Sequence, residues 1–277
     1  MLNRPNYMLR QRAAHSWHFV VSGRPLTSII AGILSGGTLA FRPGSDIEEI
    51  TRAMVAFTCI TMAGFVFNDV HDREKDRVKR IQRPITRGAV SIREAVLYAL
   101  FLSLFAVFIT PGTTLARVTL IFTCLALIGY SYFAYWVPPL KGVYTAALCC
   151  TPLVYAVVLT RAHIPGSSYA LLATFILGRE ACLDVLDLEV DANFGLRTLP
   201  QVLGPDLARR TGVLLMICSM AASVFIVSSP IGVAFVGASL GSMLILVFWP
   251  GVDFRTRILW SRLSMLLGAV ALASTIQ

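Results

Sequence analysis

The hydrophobic positions fall in long runs that contain no Asp, Glu, Lys or Arg. These runs cover 25–41, 53–68, 95–116, 118–140, 142–160, 162–178, 211–252 and 263–277. A helix needs about 20 apolar residues, at the short end ~17, to cross a bilayer, so each run predicts at least one crossing. The run 211–252 is long enough for two, and Ser228-Ser229-Pro230 with Gly232 supplies turn chemistry near its middle. The last span is expected to begin before Arg262, near Ile258. The pattern therefore predicts an all-α, polytopic bundle of nine transmembrane helices. Composition agrees: 56% of residues are apolar, 14% are charged, and mean hydropathy is +0.71. A soluble domain carries roughly 25% charged residues, so a soluble globular enzyme, a disordered chain and a collagen-like chain are all excluded.

The few charges test the span count. On the nine-span scheme one side collects Arg4, Arg10, Arg12, Arg24, the eight basics from Arg73 to Arg93, Lys141, Arg179, Arg197, Arg209, Arg210, Arg255, Arg257 and Arg262. The other side has only Arg42, Arg52, Arg117 and Arg161. The positive-inside rule then puts the N-terminus in the cytoplasm and the C-terminus outside. The first helix reads as uncleaved, because no A-x-A-like site closes it. The net charge of +9 is better explained by topology and by attraction to membrane lipid or an anionic substrate than by nucleic acid. The cysteines 59, 124, 149, 150, 182 and 218 have no zinc-like spacing and read as packing residues.

Six of the nine aspartates fall in two short segments, 68–76 and 184–191, each reading D-x-x-D-x-x-x-D. Spacings of 3 and 4 put Asp69, Asp72 and Asp76 on one helical face, and Asp184, Asp187 and Asp191 on another. Asn68 joins the first face. The two motifs lie 115 residues apart, each where an apolar span meets the basic side, which suggests a weak internal duplication. Three like charges together near a membrane are costly unless a cation or partner residues neutralise them. A solvated helix end with local salt bridges to Arg73, Lys75 and Arg77 is the plain alternative. Oxygen-only ligands favour Mg2+ over zinc or copper, and Mg2+ commonly completes its shell with water and substrate phosphate. Two facing clusters would bridge a diphosphate. His71 points away from these acids and reads as a neighbour.

Each acidic segment leads into a basic one: Lys79, Arg80 and Arg83-Pro84-Ile85-Thr86-Arg87-Gly88 after the first, Gly195-Leu196-Arg197-Thr198-Leu199-Pro200 after the second. Topology alone accounts for most of these basics. Arg83, Arg87 and Arg197, beside Pro and Gly turns, are the better candidates for phosphate contact, with Lys141 after Pro138-Pro139 a further one.

At these residues the chain resembles the UbiA superfamily of intramembrane prenyltransferases. The resemblance rests on N-D-x-x-D-x-x-x-D at 68–76, R-P-x-x-x-G at 83–88 and D-x-x-D-x-x-x-D…G-x-x-T-L-P at 184–200, and it covers essentially 1–277 as a single domain. It implies a nine-helix bundle with a central cavity under a cytoplasmic cap, the site facing the cytoplasm. It implies that Asn68, Asp72 and Asp76, with Asp69 close by, hold one Mg2+, and that Asp184, Asp187 and Asp191 hold another. Asp72, Asp76, Asp187, Asp191 and Lys141 would form the catalytic set, and Arg83, Arg87, Lys141 and Arg197 would bind the diphosphate. The activity implied is ionisation of a polyprenyl diphosphate and transfer of the prenyl group to an aromatic or other lipophilic acceptor. Tyr130, Tyr132, Phe133, Tyr135, Trp136, Tyr144 and Tyr155 offer aromatic faces for the allylic cation. Aromatic-acceptor members often carry Lys-Arg after the fourth helix, whereas Lys141 is followed here by Gly142, which leaves the acceptor open. A terpene cyclase with no acceptor is the alternative. Arg24-Pro25 either meets an acceptor carboxylate or caps the first span. A transporter fits less well, because the acids sit at helix ends rather than at mid-membrane.

Overall fold

The computed structural model describes residues 16–42 and 44–275, apart from the side chain at 246. Arg4, Arg10 and Arg12, with the last two residues of the final run, lie outside the described residues. The described chain is helical, without strands. Its elements are α1 (Ser16–Ser22), α2 (Pro25–Ala40), α3 (Ile47–His71), α4 (Arg73–Val78), α5 (Ile92–Ile109), α6 (Thr114–Trp136), a 3-10 turn (Pro138–Leu140) and α7 (Lys141–Thr160). They continue with α8 (Gly166–Leu186), α9 (Leu188–Asn193), α10 (Leu199–Leu203), α11 (Pro205–Ser223), α12 (Pro230–Phe248) and α13 (Phe254–Ala273). Five stretches are long and apolar enough to cross a membrane: α3, α5, α6, the 3-10 turn with α7, and α13. A sixth arises if α1 and α2, bent by 60° at Gly23-Arg24, are taken as one span. The chain is a multi-pass membrane protein. α8 and α11 fall outside this set because charges sit within them: Arg179, Glu180 and Asp184 in α8, and Asp206, Arg209 and Arg210 in α11.

Several helices start or stop away from the charge-free runs, α3, α8 and α11 among them, and two of the differences have a clear local cause. The run 95–116 is broken at Thr110-Pro111-Gly112-Thr113, so α5 stops at Ile109 and α6 starts at Thr114, drawing Arg117 into its first turn. Pro111 has no N–H to donate and Gly112 takes φ 79°, a break that charge does not register. The last helix begins at Phe254 rather than Ile258, because the Asp253 carboxylate accepts from the Thr256 N–H at 3.2 Å and caps it. The expected turn near Ser228–Gly232 is present: Ser229 caps α12 through the Gly232 N–H at 3.0 Å.

Among the described residues packing forms two large cores and a small third cluster of Val227, Val236 and Ala271. One large core surrounds α3 and includes Phe57, Ile60, Val66, Leu102 and Leu120; the other surrounds α8 and includes Leu153, Phe175, Ile176, Met216 and Ile258. Glycines let backbones meet where the helices cross. A Cβ on Gly212 would lie 2.6 Å from the Gly178 carbonyl, closing α11 onto α8. On α2, a Cβ on Gly32 or Gly36 would lie 2.6 or 2.8 Å from the Met54 or Ile50 carbonyl of α3. In lipid, where apolar burial does not drive helices together, such close approach supplies much of the association. Large side chains on the outside, such as Phe101, Leu104, Phe108 and Phe122, are exposed, as a lipid-facing surface requires.

Candidate active site

Both aspartate motifs share one backbone design. α3 runs to His71 and breaks at Asp72 (φ −81°, ψ 6°), and the six-residue α4 follows. α8 runs to Leu186 and breaks at Asp187 (φ −99°, ψ 0°), and the six-residue α9 follows. These dihedrals fall in the sparsely used bridge region where many active-site residues sit. Hydrogen bonding continues across each break: Asp76 N–H to Asp72 O and Asp191 N–H to Asp187 O, both 2.8 Å. Each short helix then closes on the carbonyl of the third aspartate, Ile81 N–H to Asp76 O at 3.0 Å and Leu196 N–H to Asp191 O at 2.9 Å. Arg80 (φ 53°) and Gly195 (φ 68°) make the turns. The single helical face expected for each motif is therefore a kinked one.

The carboxylates still converge, and cations hold them. Arg83, on the loop after α4, has its Nη1 2.5 Å from Asp69 Oδ1 and 2.7 Å from Asp76 Oδ2. Arg24 adds its Nη2 at 2.6 Å from the same Asp69 oxygen and lays its guanidinium 4.6 Å from the centre of the Phe65 ring. Asp72 accepts from the Asn68 amide at 2.9 Å and from the Tyr135 hydroxyl at 3.5 Å, and Ser131 donates to Asn68 Oδ1 at 3.4 Å. Burial raises the Asp76 carboxyl to about 6 against the pull of Arg83, with Asp69 and Asp72 reinforcing the rise. Burial lowers Arg83 from its usual value, and Arg24 adds to the effect.

At the second motif the partners are lysines. Lys141 Nζ lies 2.8 Å from Asp184 and 3.4 Å from Asp191, Lys79 Nζ lies 2.7 Å from Asp187, and Lys75 pairs with Asp191. Lys75 is on α4 and Lys79 is its C-cap, so these two pairs tie the first segment directly to the second. The motifs face each other. Among the described residues no three Asp, Glu, His or Cys side chains form a ready-made metal cluster. Asp76 Oδ2 and Asp191 Oδ1 are buried and accept no well-oriented hydrogen bond, each meeting a cation instead.

Other residues named from the sequence lie elsewhere. Arg87 contacts His18 of α1 at 2.9 Å. Arg197 is exposed and makes no ion pair among the described residues. Tyr130 and Phe133 cluster with Tyr144 at ring distances of 5.9 and 4.8 Å, and His71 lies edge-on to Tyr132 and Tyr135. Trp136 is 83% exposed. Tyr155 is buried against Phe57 at 5.5 Å; Phe57 is 15 residues up α3 from Asp72, about 22 Å at 1.5 Å per residue, far from the acids. The sequence offers Lys75 as a local salt-bridge partner of the first motif and Lys79 as a basic residue beside a span; the fold instead pairs them with Asp191 and Asp187 of the second motif. Arg24 proves to be a carboxylate partner, from a left-handed backbone (φ 47°) and without a side-chain capping bond.

A profile of the UbiA prenyltransferase family matches residues 29–272. The digeranylgeranylglyceryl phosphate synthase of Thermococcus gammatolerans is 29% identical over 225 residues, spanning 78% of this chain and 80% of its own. A UbiA homologue from Aeropyrum pernix K1 has the same fold, with TM-score 0.72 at 18% identity over 88% of this chain and 96% of that one. A UbiA homologue from Archaeoglobus fulgidus, solved bound to GPP and Mg2+, gives 0.65 at 17% identity over 93% and 99%.

Proposed function

The chain belongs to the UbiA prenyltransferase family, and on that premise we propose that it transfers a prenyl group from a prenyl diphosphate to a lipophilic acceptor with Mg2+ held between the two aspartate motifs. The observation that carries this reading is the facing of the motifs across Lys75–Asp191 and Lys79–Asp187. The donor chemistry fits Mg2+: only oxygen ligands are offered, and Asp76 Oδ2 and Asp191 Oδ1 are buried carboxylate oxygens, each held by a cation whose place a metal ion could take. Asn68, Asp69, Asp72 and Asp76 would hold one ion, and Asp184, Asp187 and Asp191 the other. Bound there, Mg2+ would supply Lewis-acid neutralisation of the diphosphate oxygens.

The chain's own residues do the rest. Arg83 and Lys141, each within reach of two carboxylates, orient the diphosphate and stabilise its charge as the C1–O bond breaks. Arg87 and Arg197 are the outer basics of the same reading and serve the diphosphate once it is bound. Tyr130, Phe133 and Tyr144 present ring faces to the allylic cation. The electron pair of the C1–O bond leaves with the diphosphate, the acceptor oxygen or carbon bonds to C1, and the acceptor's proton passes to the departing diphosphate or to water. The same reading takes 1–277 as a single domain of nine spans, with α4, α9 and α10 capping a central cavity at the cytoplasmic end.

The relative from Thermococcus gammatolerans is named for a glycerol phosphate lipid. That favours a phosphate-bearing lipid alcohol as the first acceptor to test and an aromatic as the second. Lys141-Gly142, in place of the Lys-Arg of aromatic-acceptor members, supports the same order. Purified protein, Mg2+ and C10–C20 prenyl diphosphates are incubated with each acceptor and with none, and products are identified by mass. A prenylated acceptor is expected. A cyclic hydrocarbon formed without acceptor would establish the cyclase instead, and diphosphate consumption persisting in excess EDTA would overturn the metal reading.

A further inference from the structure

The second motif is electrically complete and the first is not. Asp184, Asp187 and Asp191 meet three cations, Lys141, Lys79 and Lys75. Asp69, Asp72 and Asp76 meet two, Arg24 and Arg83, and both of these engage Asp69. Asp72 has no ion-pair partner among the described residues; it is met by an amide and a phenol. Lys75, Lys141 and Asp191 are all buried, where charges are screened least. A divalent ion that joins the first motif would turn a surplus negative charge into a surplus positive one without expelling a partner of Asp72. An ion that joins the second motif must share it with three ammonium groups or displace them.

We infer that Lys75 and Lys79 are tethered competitors of the divalent ion at the second motif. The first motif takes its ion alone; the second takes one when a diphosphate arrives to accept the displaced ammonium groups. The inference rests on the reading of the two motifs as Mg2+ sites and assigns these two lysines a positioning role within it. Lysine suits that role, since its compact charge rides on a flexible four-carbon stem, whereas the planar guanidinium of Arg83 is held between two carboxylates. Lys75 lies on the short helix that carries Asp76, one residue before it, and Lys79 is the C-cap of that helix, three residues after it. Loading of the first motif and release of the second are thereby joined through one short helix and its cap.

The test uses full-length protein in detergent, stripped with EDTA and titrated with Mn2+, the free ion being read by electron paramagnetic resonance. Wild type is expected to take up one ion tightly and a second weakly, the second tightening when methylenediphosphonate is added, after correction for Mn2+ held by the diphosphonate itself. Lys75→Met and Lys79→Met are each expected to tighten the second ion, without diphosphonate, by on the order of tenfold, a typical coupling between two linked sites. Adding Asp187→Asn to either should remove that gain. A purely structural role for the lysines would lower thermal stability without any gain in metal uptake. Should Lys75→Met fail to fold, Lys79→Met still decides, because its partner Asp187 is 35% exposed. Two equal ions in wild type without diphosphonate, or an unchanged second ion in both variants, overturns the inference. Absence of Mn2+ uptake in wild type and Asp72→Asn alike overturns instead the metal reading beneath it.

Discussion

The two aspartate motifs have the same spacing, the same break at the central aspartate and the same closing bond to the carbonyl of the third. They differ in what neutralises them. Arginines from a kinked helix start and a loop serve the first, while lysines from two other helical segments serve the second. Backbone repetition therefore does not carry electrostatic repetition with it. Arg83 meets both carboxylates through one nitrogen of a planar guanidinium, whereas an ammonium is a compact point charge on a flexible stem, so the first motif is expected to be the more rigid of the pair.

The comparison breaks most sharply at the carboxylates. If both motifs serve one diphosphate clamp, Asp72→Asn and Asp187→Asn should each lower pyrophosphate release by roughly 10²–10³-fold, the scale of losing one preorganised electrostatic group. Wild-type release from either variant would remove its motif from the clamp. The next largest effect falls on stability. Arg83→Gln leaves Asp76 without its cation and is expected to cost about 3 kcal/mol, the loss for one half of a buried pair. Arg83→Lys should cost less but not recover fully, because the shorter side chain must bring its ammonium to both carboxylates at once. At the second motif Lys79→Met should cost no more than about 1 kcal/mol, as for a partly exposed pair. Denaturant or thermal melts measure these costs, and equal costs would contradict the difference in rigidity.

Helix seams give a smaller contrast. Gly212→Ala forces a methyl against the Gly178 carbonyl at 2.6 Å and should destabilise by about 1–3 kcal/mol, as overpacking does. Gly237→Ala, which meets nothing within 4 Å, should leave the melting temperature unchanged or raise it slightly.

A further effect is that of pH at the first motif. Burial raises Asp76 to about 6, above the ordinary carboxylate value of roughly 3.9. The folded chain thus holds this proton more tightly than the unfolded chain. The stability it contributes is full below pH ~4 and is lost as pH rises through about 6. A divalent ion needs the charged form, so its binding should strengthen from pH 5 to 7 and release up to about one proton. Calorimetry in two buffers of different ionisation enthalpy measures that proton, and uptake independent of pH would exclude Asp76 as a ligand.

The helices were legible because charge is scarce, and the motifs because three aspartates at fixed spacing stand out in an apolar chain. The break at Thr110–Thr113 was not, since it consists of uncharged residues. The kinks at Asp72 and Asp187 were hidden because the spacing that marks a helical face survives them. Pairing was the least readable layer. Lys75 and Asp191 are distant in sequence, and beside a membrane span a lysine is already explained by topology. Arg87 sits beside a turn as Arg83 does, yet it reaches His18 rather than the acids, and only the path of the loop separates them.

Arg24 joins mechanics to chemistry. It is the corner of the 60° elbow between α1 and α2, held in a left-handed conformation that costs an L-residue roughly 1–2 kcal/mol, and its side chain grips Asp69. The elbow is thus clamped by the site it borders. Any ligand that draws Asp69 away loosens the corner as well, and α1, whose His18 touches Arg87, becomes the part of the molecule best placed to move in step with occupancy.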